Sequence, residues 1–595
     1  ADVPRGEPDL PALIAAARRL SDTLQPDAVE AWAAVARAAE GVELEPRDLA
    51  EIADHRAMDL GPAGVALFEE AAALYARAGD PGEALAARAR GAYVRALAGE
   101  VPQALAAVGG LYDDVLALYA EDGTGLRQTA AVLMSRARIL MRRVHETEDA
   151  AQDTVPAAAG AAAREVLALV DGQTGDDVRL VARVAEAQAM LAELAALDGA
   201  AQEASALFAR AAAAFVGAGL PWFAVEYEAR LAGLAHQLGD GAEAERALRA
   251  ALEHGGPHLQ AVGRAQLHLQ LAEVLDGREC PEEAAEHALE AAHWADEAGQ
   301  GRTLGAWARQ QLGGFLLRQQ RFAEAAEVLE SALPDLSAET HGDGAVVQTL
   351  WWLGDCLGEL GEHREAAERR LGAADLARHW PDQHDHATLA HLAAESLGNA
   401  GLPAEADRAY TRAGELWRSL GHVHGLVRAL RARAWLALRA EGAEDAAGTA
   451  GGLMAEAVAE CEAALDGLVD EEARDRLTAE LGHTYRQFGD LLARSAAEDA
   501  EDEAISVALE AALDRVTRAV AVFASLGDAA VHSRTGAELA AGWLEADLGR
   551  PASAASHARA VLAAYDGAGG GDRTTRERRA EAGQMLQVVE EQESA

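Results

Sequence analysis

Six side chains between His379 and His391 form the densest chemically capable set in the sequence: His379, Asp382, His384, Asp385, His386 and His391. Imidazoles and carboxylates so spaced could hold zinc or nickel, or titrate near neutral pH. Pro381 lies among them and stops a helix, so the segment reads as a polar connector between helical elements. Glu290 and His293 are three apart and share one helix face. A di-iron bundle needs two such pairs and two further carboxylates, and a solvated face is the expectation for this single pair. HExxH, GxSxG and a Gly-rich phosphate loop do not occur, and Asp113-Asp114 and Asp176-Asp177 lack the aspartate spacing of prenyl-diphosphate chemistry. The chain contains no Lys and one Asn, Asn399. Walker, Schiff-base and kinase-type lysines are thereby excluded, and with them three large catalytic classes. No enzymatic activity, cofactor or metal is expected.

The elements that would carry these residues are helical. Half of the 595 residues are apolar, dominated by Ala and Leu, while aromatics make up 4%; such a composition favours helices in close approach over a thick mixed core. The length allows several ordinary domains or one array in which each unit touches its neighbours. The abundance of Arg, Ala and Gly with no Lys fits a GC-rich, bacterial type of genome. The formal charge of -46 repels phosphate backbones, so direct nucleic-acid binding is not expected. Cys280, Cys356 and Cys461 are far apart and form no CxxC pair, which fits a reducing cytoplasm. No apolar run approaches the roughly 18 to 20 residues that cross a bilayer, and the first thirty or so residues carry no basic start with an apolar stretch. Neither membrane insertion nor a cleaved export signal is expected.

A Glu-Ala or near-equivalent pair recurs at Glu203-Ala204, Glu243-Ala244, Glu283-Ala284, Glu324-Ala325, Glu365-Ala366, Glu405-Ala406 and Asp445-Ala446, spaced 40, 40, 41, 41, 40 and 40. Seven pairs in phase mark a solenoid of repeated units. Each unit reads as a helix of about four turns, a Gly-containing turn and a second helix. In Trp351 to Ala374, Leu353, Leu357 and Leu360 form a stripe on the first helix, Gly361 supports the turn, and Ala366 and Ala373 lie on the second. Ala at those positions permits close helix crossing.

Leu353-Gly354, Gly361, Ala366 and Ala373, and again Leu312-Gly313, Phe322, Ala325 and Ala332, resemble the tetratricopeptide repeat, a helix pair marked by Leu-Gly, a turn Gly and two Ala. Leu231-Ala232 with Gly239 keeps part of that pattern, and Leu271-Ala272 keeps part of it without a turn Gly. The units are longer than the family's usual length of roughly 34 residues. The resemblance implies an all-α, right-handed α-α superhelix. The expected divisions are an N-terminal helical cap (1–40), divergent repeats with an Ala-rich insertion near 149–163 (41–178), regular repeats (179–450), and divergent repeats with a capping helix (451–595). Gly64 and Gln103-Ala104 suggest early units, Asp9 to Ala39 and the helix from about Arg573 read as caps or dimer surfaces, and polar stretches near 441–452 and 495–504 read as loops.

In this family the first helix of each pair lines a concave groove. That register implies a tract of Trp307 and Gln310; Gln348, Trp351, Asp355 and Glu359; His391, Glu395 and Asn399; and Arg428, Arg431, Trp435 and Arg439. Trp and Arg supply much of the binding energy of protein interfaces, although Trp also fills helical cores. The family's carboxylate clamp relies on Lys and Asn and is not carried over; an acidic group could meet Arg428 and Arg431, while the remaining surface favours basic partners. The leading expectation is a cytoplasmic scaffold or adaptor that holds a partner protein or peptide in this groove, with a homo-oligomer open. The alternatives are a sensor region of a larger signalling protein, such as a STAND-type ATPase regulator or an associated protease, and a helical metal-binding protein.

Overall fold

The computed structural model describes residues 9–146, 154–440, 442–496, 500–567 and 571–595; among them there are helices and no strand. The chain divides into two compact units, 1–308 and 309–595. The first holds α1 (Leu10–Asp22), α2 (Ala28–Ala38), α3 (Pro46–Leu60), α4 (Val65–Arg77), α5 (Pro81–Leu97), α6 (Val101–Ala120), α7 (Leu126–Glu146), α8 (Thr154–Val170), α9 (Val178–Leu197), α10 (Ala201–Gly217), α11 (Val225–Gln237), α12 (Gly241–Gly255), α13 (Ala261–Gly277) and α14 (Pro281–Glu297). The division falls within α15 (Leu304–Arg318). The second unit continues with α16 (Phe322–Ala332), α17 (Ala338–His341), α18 (Asp343–Glu359), α19 (His363–Ala377), α20 (His384–Asn399), α21 (Pro403–Ser419), α22 (Val423–Arg439), α23 (Ala446–Asp466), α24 (Glu471–Arg494), α25 (Asp502–Ala524), α26 (Val531–Asp547), α27 (Pro551–Ala564) and α28 (Arg573–Ser594). Successive helices pack in chain order, α9 on α10 and α13 on α14 in the first unit, α18 through α28 in the second.

The Glu-Ala signal has a physical basis. The second helices of the pairs begin at Ala201, Gly241, Pro281, Phe322, His363 and Pro403. The recurring Glu is therefore the third helical residue, where a carboxylate meets the positive end of the helix dipole. The Ala after it is wholly buried in all six: Ala204, Ala244, Ala284, Ala325, Ala366 and Ala406. A methyl group there lets the two helices of a pair approach closely. The seventh pair has slipped: Asp445 is the N-cap of α23, with its side chain accepting from the Gly448 amide at 3.2 Å.

The turn between the helices of a pair needs a left-handed residue. Gly239 (φ 76°) and Gly361 (φ 81°) supply it. Where the sequence lacks Gly, Glu279 (φ 61°) and Gln320 (φ 59°) take the same conformation. That costs a side-chain-bearing residue about 1–2 kcal/mol, and the continuing packing on both sides imposes it.

Several expectations need correction. Leu353 and Leu357 are buried, but Leu360 caps α18 and remains 43% exposed. Gly64 lies in a short 3-10 turn at Gly61–Gly64 rather than in a second helix, whereas Gln103-Ala104 occupies the Glu-Ala position of α6. Residues 154–163 form the start of α8, packed on α7, rather than an insertion, and 149–153 lie outside the described residues. Residues 446–452 open α23 and 502–504 open α25; 441 and 497–499 lie outside the described residues. Both end segments are helical as expected, in α1, α2 and α28.

Candidate functional site

The first-helix tract divides into packed and accessible residues. Trp307, in the first unit, is half-buried. In the second unit Gln310 is fully buried. It donates to Gln348 at 3.0 Å and accepts from Gln311 at 2.7 Å, a short amide ladder between α15 and α18. Trp351 is half-buried against Val347, Leu350, Ala373 and Leu389. Asp355 accepts from Arg370 at 2.9 Å, and burial still pushes its carboxyl above the usual range. Glu359, Glu395 and Asn399 are exposed.

His391 is a half-buried imidazole. Its ring meets Tyr410 edge-on at 5.3 Å, Nδ1 accepts from Trp417 Nε1 at 3.4 Å, and burial, aided by Arg428, pushes its pKa down to about 4. On α22 the arginines diverge. The Arg428 side chain is 60% exposed and reaches Glu480 at 3.4 Å. Arg431 is buried, donating to Glu480 at 2.6 Å and Thr484 at 3.4 Å. Burial pushes the Arg431 guanidinium below its ordinary range, with Glu480 opposing. Burial would raise the Glu480 carboxyl, but Arg431 and Arg428 together hold it below the usual carboxylate range. Trp435 is half-buried, donates to Gln487 at 3.3 Å and lies under Arg494 at 5.5 Å; Arg439 is exposed.

The His379 to His391 set is not brought to one point. His379, Asp382 and Asp385 are exposed. The His384 ring meets Trp417 at 5.3 Å and His422 at 5.6 Å, while His386 is buried with Nδ1 2.8 Å from the Gln383 carbonyl. Glu290 and His293 are both exposed. Among the described residues no three His, Cys, Asp or Glu side chains converge as a metal site.

A cavity in the first unit escapes any reading by repeat. It takes residues from α1 to α5, α7 and α9, with Arg90, Arg138, Arg179 and Arg183 among them. One local trace exists: Arg179 and Arg183 stand one turn apart at the start of α9.

No family model and no curated protein matches the chain. Solved structures similar to it include the C-terminal part of a TPR repeat-containing protein from Cytophaga hutchinsonii, at 11% identity, covering 49% of this chain and 98% of that one, TM-score 0.33. A putative kinesin light chain from Podosopora anserina with TPR-like repeats shows 16% identity, 33% and 96% coverage and TM-score 0.28. Yeast Tom70 shows 13% identity, 82% and 97% coverage and TM-score 0.27. The buried Ala, the N-terminal Glu and the left-handed turn recur from one pair to the next within this chain itself. It is an all-α repeat protein built of successively packed helix pairs.

Proposed function

We propose that the chain is a non-catalytic scaffold that holds another protein or peptide along the first helices of its repeats. The observation that carries this reading is the set of side chains these helices leave accessible: Asn399 on α20, and Arg428 and Arg439 on α22, with Trp351 half-exposed on α18. Arg and Trp left in contact with solvent, as on α18 and α22, are the residue types that anchor interfaces. Arg431, Gln310 and His391 serve this surface by holding its helices in place. The charge of -46 adds long-range attraction for a basic partner, while the exposed arginines would meet its acidic groups. Among the described residues no helix is long and apolar enough to cross a membrane.

The test is capture of partners from native lysate by wild-type protein and by the triple variant Trp351→Ala, Arg428→Glu, Arg439→Glu. Arg431 is left intact because its charge belongs to Glu480. Partners lost by a variant that keeps its helical content support the groove. Equal recovery by both proteins refutes it.

A further inference from the structure

The first unit holds a cavity of about 860 Å³ lined by both arginines and aromatic rings. The N-terminal helices help to close it. Asp22, at the end of α1, accepts from Arg127 of α7 at 3.3 Å and from Arg179 of α9 at 3.5 Å, residues 105 and 157 positions away. The volume falls in the range of small-molecule pockets.

Five of the arginines are matched to carboxylates, Arg18 and Arg47 both with Glu51. Arg90 pairs with Asp54, which also accepts from Tyr75 at 3.1 Å. Arg138 takes both oxygens of Glu186, at 2.6 and 2.7 Å. Arg127 pairs with Asp177. Arg183 has only a loose ion pair. It lies 3.7 Å from Glu186 Oε2, too long for a hydrogen bond, and that oxygen already accepts from Arg138. Burial first, then the like charges of Arg138, Arg179 and Arg90, pushes the Arg183 guanidinium down to about 9, with Glu186 only partly opposing. Arg179 is hardly better placed, sharing Asp22 with Arg127. Two cations one turn apart repel, and the first turn of a helix is where positive charge is least favourable.

The aromatic residues of the wall are Trp32, His55, Tyr75, Trp222, Phe223 and His258. Trp32 stacks on His55 at 4.5 Å with 11° between the rings. Burial, with lesser contributions from its charged neighbours, pushes His55 down to about 4, so its imidazole is uncharged near neutral pH. Trp222 packs against His258 at 4.7 Å, and its buried indole N–H has no partner among the described residues.

We propose that this cavity binds a small organic anion, a carboxylate or phosphate attached to a flat ring, with the anionic group on Arg179 and Arg183 and the ring on the aromatic wall. The anion would supply the charge that Glu186 and Asp22 have already committed elsewhere. An aromatic ring would pack against His55, Trp222 and Phe223, with the buried Trp32 stacked on His55. The site uses no residue of the first-helix tract and does not depend on it.

Calorimetric titration of the full chain with phenyl phosphate, benzoate, inorganic phosphate, benzyl alcohol and a short acidic peptide tests this. Phenyl phosphate or benzoate should bind at least about tenfold more tightly than inorganic phosphate and benzyl alcohol, and which of the two binds better identifies the anionic group. Arg183→Met should weaken that binding at least about tenfold while leaving the unliganded melting temperature unchanged or raised, because it removes a cation without orphaning a carboxylate. Arg138→Met should lower the melting temperature, since it strands Glu186. No binding of either aromatic anion, equal binding by Arg183→Met, binding of the peptide alone, or a lowered melting temperature of unliganded Arg183→Met would each overturn the proposal.

Discussion

Replacing Glu480 by Gln should uncouple α24 from α22. The Glu480 side chain is 7% exposed and Arg431 10% exposed, and they are joined at 2.6 Å. Gln keeps the shape and one acceptor but removes the charge, leaving the Arg431 guanidinium buried with neutral acceptors, the Gln amide oxygen and Thr484 at 3.4 Å. Breaking one side of a buried pair costs about 3–5 kcal/mol because the other charge remains desolvated. The exposed Arg428 contact adds less than about 1 kcal/mol, and the residual Gln acceptor recovers part of the loss. The expected net destabilisation is about 3 kcal/mol. The double variant Arg431→Met, Glu480→Leu removes both charges and should recover to within about 1–2 kcal/mol of wild type.

Long repeat arrays need not unfold in one step, so the assay is local. Hydrogen exchange by mass spectrometry on peptides from α22 and α24 gives the opening free energy of these helices, with peptides from α5 as the internal control. A loss below about 1 kcal/mol in Glu480→Gln, or a double variant no better than the single one, refutes the reading of this pair as a buried structural tie.

Four further outcomes follow from the same structure. Glu279→Gly and Gln320→Gly should each stabilise by about 0.5–1 kcal/mol in urea unfolding, because relief of the left-handed conformation exceeds the added entropy of an unfolded Gly. Gly239→Ala should destabilise by about 1 kcal/mol although its new methyl meets nothing within 4 Å, since the cost is conformational. Gly354→Ala would bring a Cβ to 2.6 Å from Arg370 Cγ, on a side chain also bonded to Asp355 and Ser396; a melting shift corresponding to about 1–3 kcal/mol is expected. Acidification should destabilise the protein: His55, His268 and His391 have native pKa values of about 4 against an ordinary 6.5. The unfolded chain therefore binds more protons between those values, and stability is lost as pH falls through 6.5 toward 4. Between pH 7 and 5 each His should cost about 1–2 kcal/mol, and His391→Phe should flatten its share of the slope in a series of unfolding curves.

The parts of the fold legible in the sequence are those the repeat enforces locally. Glu at the third position and Ala at the fourth announce each second helix because one meets the helix dipole and the other the neighbouring helix, and both demands arise within about 20 residues of chain. The turns at Glu279 and Gln320 break the pattern because packing on both sides overrides a local preference of one to two kcal/mol. Arg431 illustrates a different limit. It shares a helix with Arg428, but its partner Glu480 is 49 residues away on α24, and no spacing along α22 separates the structural arginine from the accessible one.

The first-unit cavity carries that reasoning to its end. A repeat explains contacts between neighbours, whereas Asp22 meets Arg179 across 157 residues, a contact no period predicts. Residues that satisfy the repeat have partners supplied by the next unit, and Arg138 with Glu186 shows such a match between α7 and α9. Arg183 has only a 3.7 Å ion pair to the same Glu186, and its charge is held against burial and three like neighbours. Neither the repeat nor the stability of the fold requires that cation, so the side chain that stability would discard is the one to examine for binding. If removing Arg183 raises the stability of the unliganded protein and abolishes its response to an aromatic anion, the unfavourable charge has its explanation in the ligand.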